Sequence, residues 1–162
     1  MSNINAAGGG RRCLHNIAYL FVAGALSVLL FQMGALAILN AIGQTQGLPF
    51  DYRPTKPLGI PQIWSFCFWG GVWAQAFGCL ERYFPRGFLY YVCAFLFGIV
   101  GPVMVLWFIV FPLKGLPVAA GLDPGRMLTQ LIIHGCYGLG VGVLLQACRA
   151  CGAKRSSAGG PA

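Results

Sequence analysis

The stretch from Met127 to Cys148 most constrains what this chain can fold into. It holds 22 residues without Asp, Glu, Lys or Arg, and it lies between Arg126 and Arg149. A helix of roughly 20 apolar residues is long enough to cross the hydrocarbon core of a bilayer. Three further charge-free stretches have a similar length. The sequence therefore predicts an integral membrane protein with four membrane-spanning helices.

The scarcity of charge supports this prediction. Charged residues make up 9% of the 162 residues and hydrophobic residues 57%, whereas soluble domains carry about 25% charged residues. The net charge is +8, a balance that in a soluble protein would suggest nucleic acid as the partner. Because the basic residues flank the apolar stretches, they are expected to orient the chain and to contact anionic lipid, with no role in binding nucleic acid.

The spacing of apolar stretches and Pro/Gly-rich connections defines the expected domains. We expect a disordered cytoplasmic N-terminus at residues 1–12, a transmembrane domain at 13–148, and a basic, flexible cytoplasmic tail at 149–162. Helices are expected at about residues 17–42, 60–80, 88–111 and 127–148. The predicted fold is all-α, a four-transmembrane-helix bundle with antiparallel up-down topology. Pro102 should kink the third helix, and Asp123 should cap the fourth.

Basic residues in alternate connections predict the orientation. One side of the bundle collects seven of them, namely Arg11, Arg12, Arg82, Arg86, Arg149, Lys154 and Arg155. The other side collects four, namely Arg53, Lys56, Lys114 and Arg126. The richer side is expected to be cytoplasmic, so both termini should lie inside.

Small residues recur at helical spacing and predict close helix contacts. The expected packing residues are Gly70, Ala74 and Gly78 in the second helix and Gly135, Gly138 and Gly142 in the fourth. The first helix has a looser stripe of small residues at Ala23, Ser27, Gly34 and Ala41.

His134 is the only titratable side chain expected well inside the membrane, and such residues are functional candidates. Polar residues expected at similar depth are Gln130, Gln32, Asn40 and Ser65. With His134 they form either a hydrated pocket in the outer leaflet or a set of hydrogen bonds that hold helices together. The sequence leaves both interpretations open.

No pattern for catalysis accompanies these polar residues. The three acids lie in connections or at helix ends, and no glycine-framed nucleophile occurs. We therefore expect a protein that is not an enzyme and has no catalytic residues and no cofactor. A weak candidate for a metal site would form if the inner ends of the first and fourth helices met, bringing together Cys13, His15, Cys148 and Cys151. Free thiols are the simpler interpretation.

Two segments, FWGGVW at 68–73 and FPLKGLPVAAG at 111–121, resemble parts of small bacterial integral membrane proteins with four predicted spans and no assigned activity. The resemblance implies a bacterial inner (plasma) membrane. The expected function is that of a non-enzymatic structural or interaction subunit, with membrane lipid and a second copy or another membrane protein as partners. The alternative is a small oligomeric transporter or channel that uses the outer pocket around His134.

Overall fold

The computed structural model describes residues 17–55 and 59–158, with side chains up to residue 150. It contains four helices, which confirms the number predicted. They are α1 at Ile17–Ala41, α2 at Gln62–Leu80, α3 at Phe88–Leu113 and α4 at Pro124–Ala158. Two short antiparallel strands, β1 at Pro54–Thr55 and β2 at Ile60–Pro61, lie in the connection before α2. The expectations for residues 1–12, Cys13 and His15 fall outside the described residues.

Three of the helices are long and apolar enough to cross a membrane, namely α1, α3 and the part of α4 at Pro124–Ala150. The chain is thus a multi-pass membrane protein. α2 has 19 residues, but Gln75 and its tryptophans and glycines make it less apolar than the other three.

The end of α4 differs from the prediction. The fourth helix was expected to end near Cys148 and to be followed by a flexible tail, but it continues to Ala158. Residues 149–158 contain Ala, Arg and Lys, which are good helix formers, and no proline until Pro161. At the other end of α4, Asp123 Oδ1 accepts hydrogen bonds from the backbone N–H of Gly125 at 2.9 Å and of Arg126 at 3.1 Å, which confirms the cap.

Each of two helices contains one widened π-helical turn. In α3 the chain stays helical through Pro102 and widens at Leu106–Val110. In α1 the wide turn lies at Val28–Gln32. Because a π-helical turn holds more residues than an α-helical turn, the residues after it are rotated about the helix axis, and a different set of positions becomes buried. Beyond this turn α1 buries Met33, Leu36 and Leu39, whereas Gly34 has open space beside it and Ala41 is exposed.

The helices approach one another most closely where glycines face backbone. A Cβ atom on Gly98 of α3 would overlap the carbonyl oxygen of His134, and one on Gly138 of α4 would overlap that of Ala94. Gly24 of α1 meets the backbone of Gly70 of α2 in the same way. These contacts leave a core of fully buried side chains between the helices, among them Val28, Ala74, Phe77, Ala94, Val141 and Leu145.

The connections give the bundle two different ends. At one end a short connection, with a 3₁₀ turn at Glu81–Tyr83 and Gly87 at φ 79°, joins α2 to α3; we call this the hairpin end. At the other end lie the two longer Gly/Pro-rich connections, and we call this the loop end. There the turn at Val118–Leu122 places Ala119 in a small cluster with Val103 and Trp107.

Candidate functional site

A buried carboxylate organises the hairpin end of the bundle. Glu81 directly follows α2, and its side chain is only 8% exposed. The hydroxyl group of Tyr90, a buried residue on α3, donates a hydrogen bond to Glu81 Oε1. Arg149 Nη2 on α4 donates to Glu81 Oε2 at 2.5 Å. One side chain at the end of α2 thus connects three helices, and the two charges of the ion pair compensate each other.

An open cleft of about 500 Å³ surrounds this network. Its polar lining comes from the hairpin and from one side of α4, and it includes Glu81, Arg82, Arg86, Tyr91, Gln146 and Arg149. The lining includes three arginines and one glutamate, so it has an excess of two positive charges. A cleft of this charge favours anionic groups, because guanidinium binds carboxylate and phosphate oxygens through paired hydrogen bonds.

Two of these arginines differ in how they are held. Arg82 Nη2 donates to the hydroxyl of Tyr83 at 2.7 Å, and its guanidinium lies 4.7 Å from the centre of the same ring. Arg86 is exposed, and among the described residues no hydrogen bond engages its side chain. Neither Arg82 nor Arg86 is neutralised by Glu81, whose carboxylate is already bonded to Tyr90 and Arg149.

His134 has its hydrogen-bond partner on its own helix. Its Nδ1 lies 2.8 Å from the carbonyl oxygen of Gln130, one turn earlier in α4. Since a carbonyl oxygen only accepts, Nδ1–H donates and the proton is assigned to this nitrogen. The imidazole thus has a partner within α4 itself, and the described hydrogen bonds include none of those from its ring to another helix that one of the two interpretations proposed.

The other predicted polar residues lie at separate places. Asn40 Nδ2 donates to the carbonyl oxygens of Thr45 at 3.1 Å and Gly47 at 3.0 Å, and so fixes the chain as it leaves α1. Gln32 is buried in α1, and Ser65 is half-buried near the start of α2. Of the five predicted residues, the structure joins His134 to the backbone of Gln130 within α4. It places Asn40 at the end of α1, where the connection to α2 begins.

A second cleft, of about 450 Å³, lies at the loop end between residues 43–47, the turn after α3 and the start of α4. Gln44, Thr45, Gln46, Arg126 and Gln130 supply much of its polar lining. Of the five predicted polar residues, Gln130 is the one found among the residues that line this cleft.

The connection between α1 and α2 is held by an ion pair outside the spanning helices. Arg53 Nε lies 2.9 Å from both carboxylate oxygens of Asp51, and the backbone N–H of Arg53 donates to Asp51 Oδ1 at 2.9 Å. These bonds from Arg53 hold the pKa of Asp51 below its ordinary value. Because the bonds favour the ionised form, they persist at neutral pH and weaken as the pH falls through the lowered pKa.

All six predicted packing residues lie against a neighbouring helix. Gly70, Ala74 and Gly78 face α1, whereas Gly135, Gly138 and Gly142 face α3. The space beside each of the five glycines is already filled by backbone or by a side chain, which a larger residue would meet. Leu20 fills the space beside Gly78, and Phe95 fills the space beside Gly135.

Two buried hydrogen bonds through Tyr137 were not predicted. Ser27 Oγ of α1 donates to the carbonyl oxygen of Tyr137 at 2.6 Å, and the Tyr137 hydroxyl donates to the carbonyl oxygen of Gly70 at 2.6 Å. α4 is thereby tied to α1 and α2 in the middle of the bundle. The available signal was a tyrosine near the centre of an apolar stretch, since a buried hydroxyl requires a partner.

The weak metal candidate gains no geometric support from the described part of the chain. Cys148 is exposed, and no three His, Cys, Asp or Glu residues with described side chains are grouped as metal ligands. The positions of Cys13 and His15 and the side chain of Cys151 lie outside what the structure describes.

The Glu81 network, the two clefts and the glycine contacts are the structural features that bear on the function of this chain. No protein-family model, no curated protein and no solved structure matches the chain.

Proposed function

We propose that the protein is a non-enzymatic structural or interaction subunit of a bacterial inner membrane. The closed middle of the bundle carries this proposal. Between the clefts at the hairpin end and the loop end lie fully buried side chains, including Ser27, Phe77, Val141 and Leu145. A path for solute through one copy of the chain would have to cross this layer. The packing therefore favours a subunit over a transporter with a solute path through each copy. Tyr137 and its two hydrogen bonds stabilise the same layer.

The outward face of α2 supports its insertion as the fourth span. α2 packs on α1 through Gly70, while Trp64, Phe68 and Trp69 are exposed, with Trp69 at 56%. Of these three, Phe68 also meets the edge of the Phe21 ring of α1. A contiguous apolar face of this kind is unusual in water and marks contact with lipid or with another protein. Its 19 residues would extend about 28 Å, close to the roughly 30 Å of a hydrocarbon core.

The same face is the surface on which a partner helix would lie. Trp and Phe are enriched in the centres of protein interfaces, and this face collects two tryptophans and a phenylalanine within six residues, 64–69. We propose that a second copy or another membrane protein packs here, with the remaining surface in contact with lipid.

Purification in a mild detergent, followed by mass spectrometry of everything retained, tests the proposed function. The wild type should retain a partner or form a defined oligomer, and Trp69→Ala should lose most of this association. Phe108→Ala is the matched control, because Phe108 is an exposed aromatic residue on α3, and it should retain the partner. A wild-type protein that purifies without another protein, as an oligomer that conducts solute in liposomes, would support the transporter alternative instead.

Reporter fusions test the proposed orientation, with both termini and the hairpin end in the cytoplasm. Seven basic residues on that side against four on the other support it. A reporter that works only in the periplasm should be inactive after Ala162 or Gly87 and active after Gly115. Activity after Ala162 would contradict this orientation, either because the bundle is inverted or because α2 is not inserted and three spans place the two ends of the chain on opposite sides.

A further inference from the structure

We infer that the hairpin-end cleft binds the phosphate-containing head group of an anionic phospholipid. The inference goes beyond the proposed function but rests on its insertion of α2 and α3 as a hairpin, which puts Glu81, Arg82 and Arg86 at the membrane surface. Basic pockets between membrane helices on the cytoplasmic side are a recurrent form of lipid recognition.

The charges of the cleft identify the class of ligand. Glu81 and Arg149 form a closed pair, since both carboxylate oxygens accept hydrogen bonds from within the protein. Arg82 and Arg86 supply the remaining positive charge of the cleft lining. A phosphodiester carries one negative charge and two free oxygens, and two guanidinium groups can bind these oxygens with geometric specificity.

The guanidinium group of Arg82 is held in one orientation before a ligand binds. Its bond to the Tyr83 hydroxyl and its stacking on the same ring hold the guanidinium in place. An arginine that is already held loses less side-chain entropy when it binds an anion. The size of the cleft, about 500 Å³, lies within the range of small-molecule sites and accommodates a head group.

Exposed apolar side chains that are adjacent in sequence to the cleft-lining residues favour a lipid over a soluble phosphate. Phe88 and Leu89 directly follow Gly87, which lines the cleft, and both are exposed, Phe88 at 80%. Tyr83 is exposed beside Arg82. In the membrane these side chains lie where acyl chains meet head groups, and aromatic residues are enriched at that level. A ligand with both a phosphate and acyl chains satisfies the polar and apolar parts together.

Binding of defined lipids to the purified full-length protein in detergent, read by native mass spectrometry, tests the inference. The probes are phosphatidylglycerol and phosphatidylcholine with identical acyl chains, and glycerol 1-phosphate. The wild type should bind phosphatidylglycerol about 25-fold more tightly than phosphatidylcholine, since each arginine near a charged membrane surface contributes about fivefold. The double variant Arg82→Gln/Arg86→Gln should lose this preference.

Arg126→Gln is the control, because it removes a basic residue from the loop end, and it should keep the preference. An unchanged preference in the double variant, or an equal loss in the control, would overturn the inference. Binding of glycerol 1-phosphate as tight as that of phosphatidylglycerol would assign the cleft to small anions. Partner retention and reporter activity are measured separately, so that failure of lipid binding is distinguishable from failure of the proposed function. Unchanged helicity by circular dichroism shows that the variants fold.

Discussion

Replacing Gly138 by valine should lower the free energy of unfolding by about 3 kcal/mol. A Cβ atom at this position would overlap the carbonyl oxygen of Ala94 and would lie 2.8 Å from the backbone nitrogen of Gly98. Backbone atoms cannot turn aside as a flexible side chain can, so α3 and α4 would have to separate. The separation would also loosen the buried layer next to Val141.

Unfolding in mixed micelles of a denaturing and a mild detergent measures this effect. Gly34→Val is the matched control, because a Cβ atom at Gly34 meets no other atom within 4 Å. This control should change the free energy of unfolding by no more than about 0.5 kcal/mol. Similar losses in the two variants would mean that glycine content, and not the contact between α3 and α4, determines stability.

Replacing Glu81 by alanine should destabilise the hairpin end by about 3 kcal/mol, since bonds to a charged partner contribute about 1.5–3 kcal/mol each. The larger part of this loss in stability comes from Tyr90, because its buried hydroxyl would no longer have the Glu81 carboxylate as acceptor. Arg149 contributes less, because its side chain is 56% exposed and water replaces the lost carboxylate.

A double-mutant cycle with Tyr90→Phe separates the two contributions. In the Tyr90→Phe background there is no hydroxyl group that could lose its acceptor. The loss in free energy of unfolding caused by Glu81→Ala should therefore be about 1–2 kcal/mol smaller than in the wild type. Strict additivity of the two substitutions would show that Tyr90 and Glu81 do not depend on each other. Thermal unfolding followed by circular dichroism at neutral pH provides the measurement.

The helices could be predicted from the sequence because long charge-free stretches have few other stable forms in a bilayer. The predicted starts and ends of α1, α2 and α3 lie within a few residues of those observed. The length of α4 was predicted less well, because the change from apolar to basic residues at Arg149 marks the end of the apolar part of the helix and not the end of the helix itself.

The π-helical turn in α1 could not be predicted from local pattern. The stripe of small residues in α1 lies on one face of the helix only if every turn has the α-helical width. The stripe consists of Ala23, Ser27, Gly34 and Ala41. One wide turn at Val28–Gln32 rotates the second half of the helix, so that Gly34 and Ala41 leave the buried face. The bond from Ser27 to α4 lies directly before this turn.

The candidate site was predicted only in part, because the burial of its central residue depends on helix packing. An ionisable residue inside an apolar stretch, such as His134, is visible in the sequence itself. Glu81 looked like an ordinary residue of a short connection, and its burial arises only when Tyr90 and Arg149 are packed beside it. Burial of a connection residue depends on helices distant in sequence, such as α4, which the spacing of residues does not place.

The length of α4 links the two faces of the membrane mechanically. Gln130 in the loop-end cleft and Gln146 in the hairpin-end cleft belong to this one helix, about 24 Å apart along its axis at 1.5 Å per residue. A continuous helix resists compression, so a partner that shifted α4 along its axis at one cleft would move Gln130 and Gln146 by the same distance. Under the proposed function, the two clefts would therefore respond to a partner together although they lie at opposite ends of the bundle.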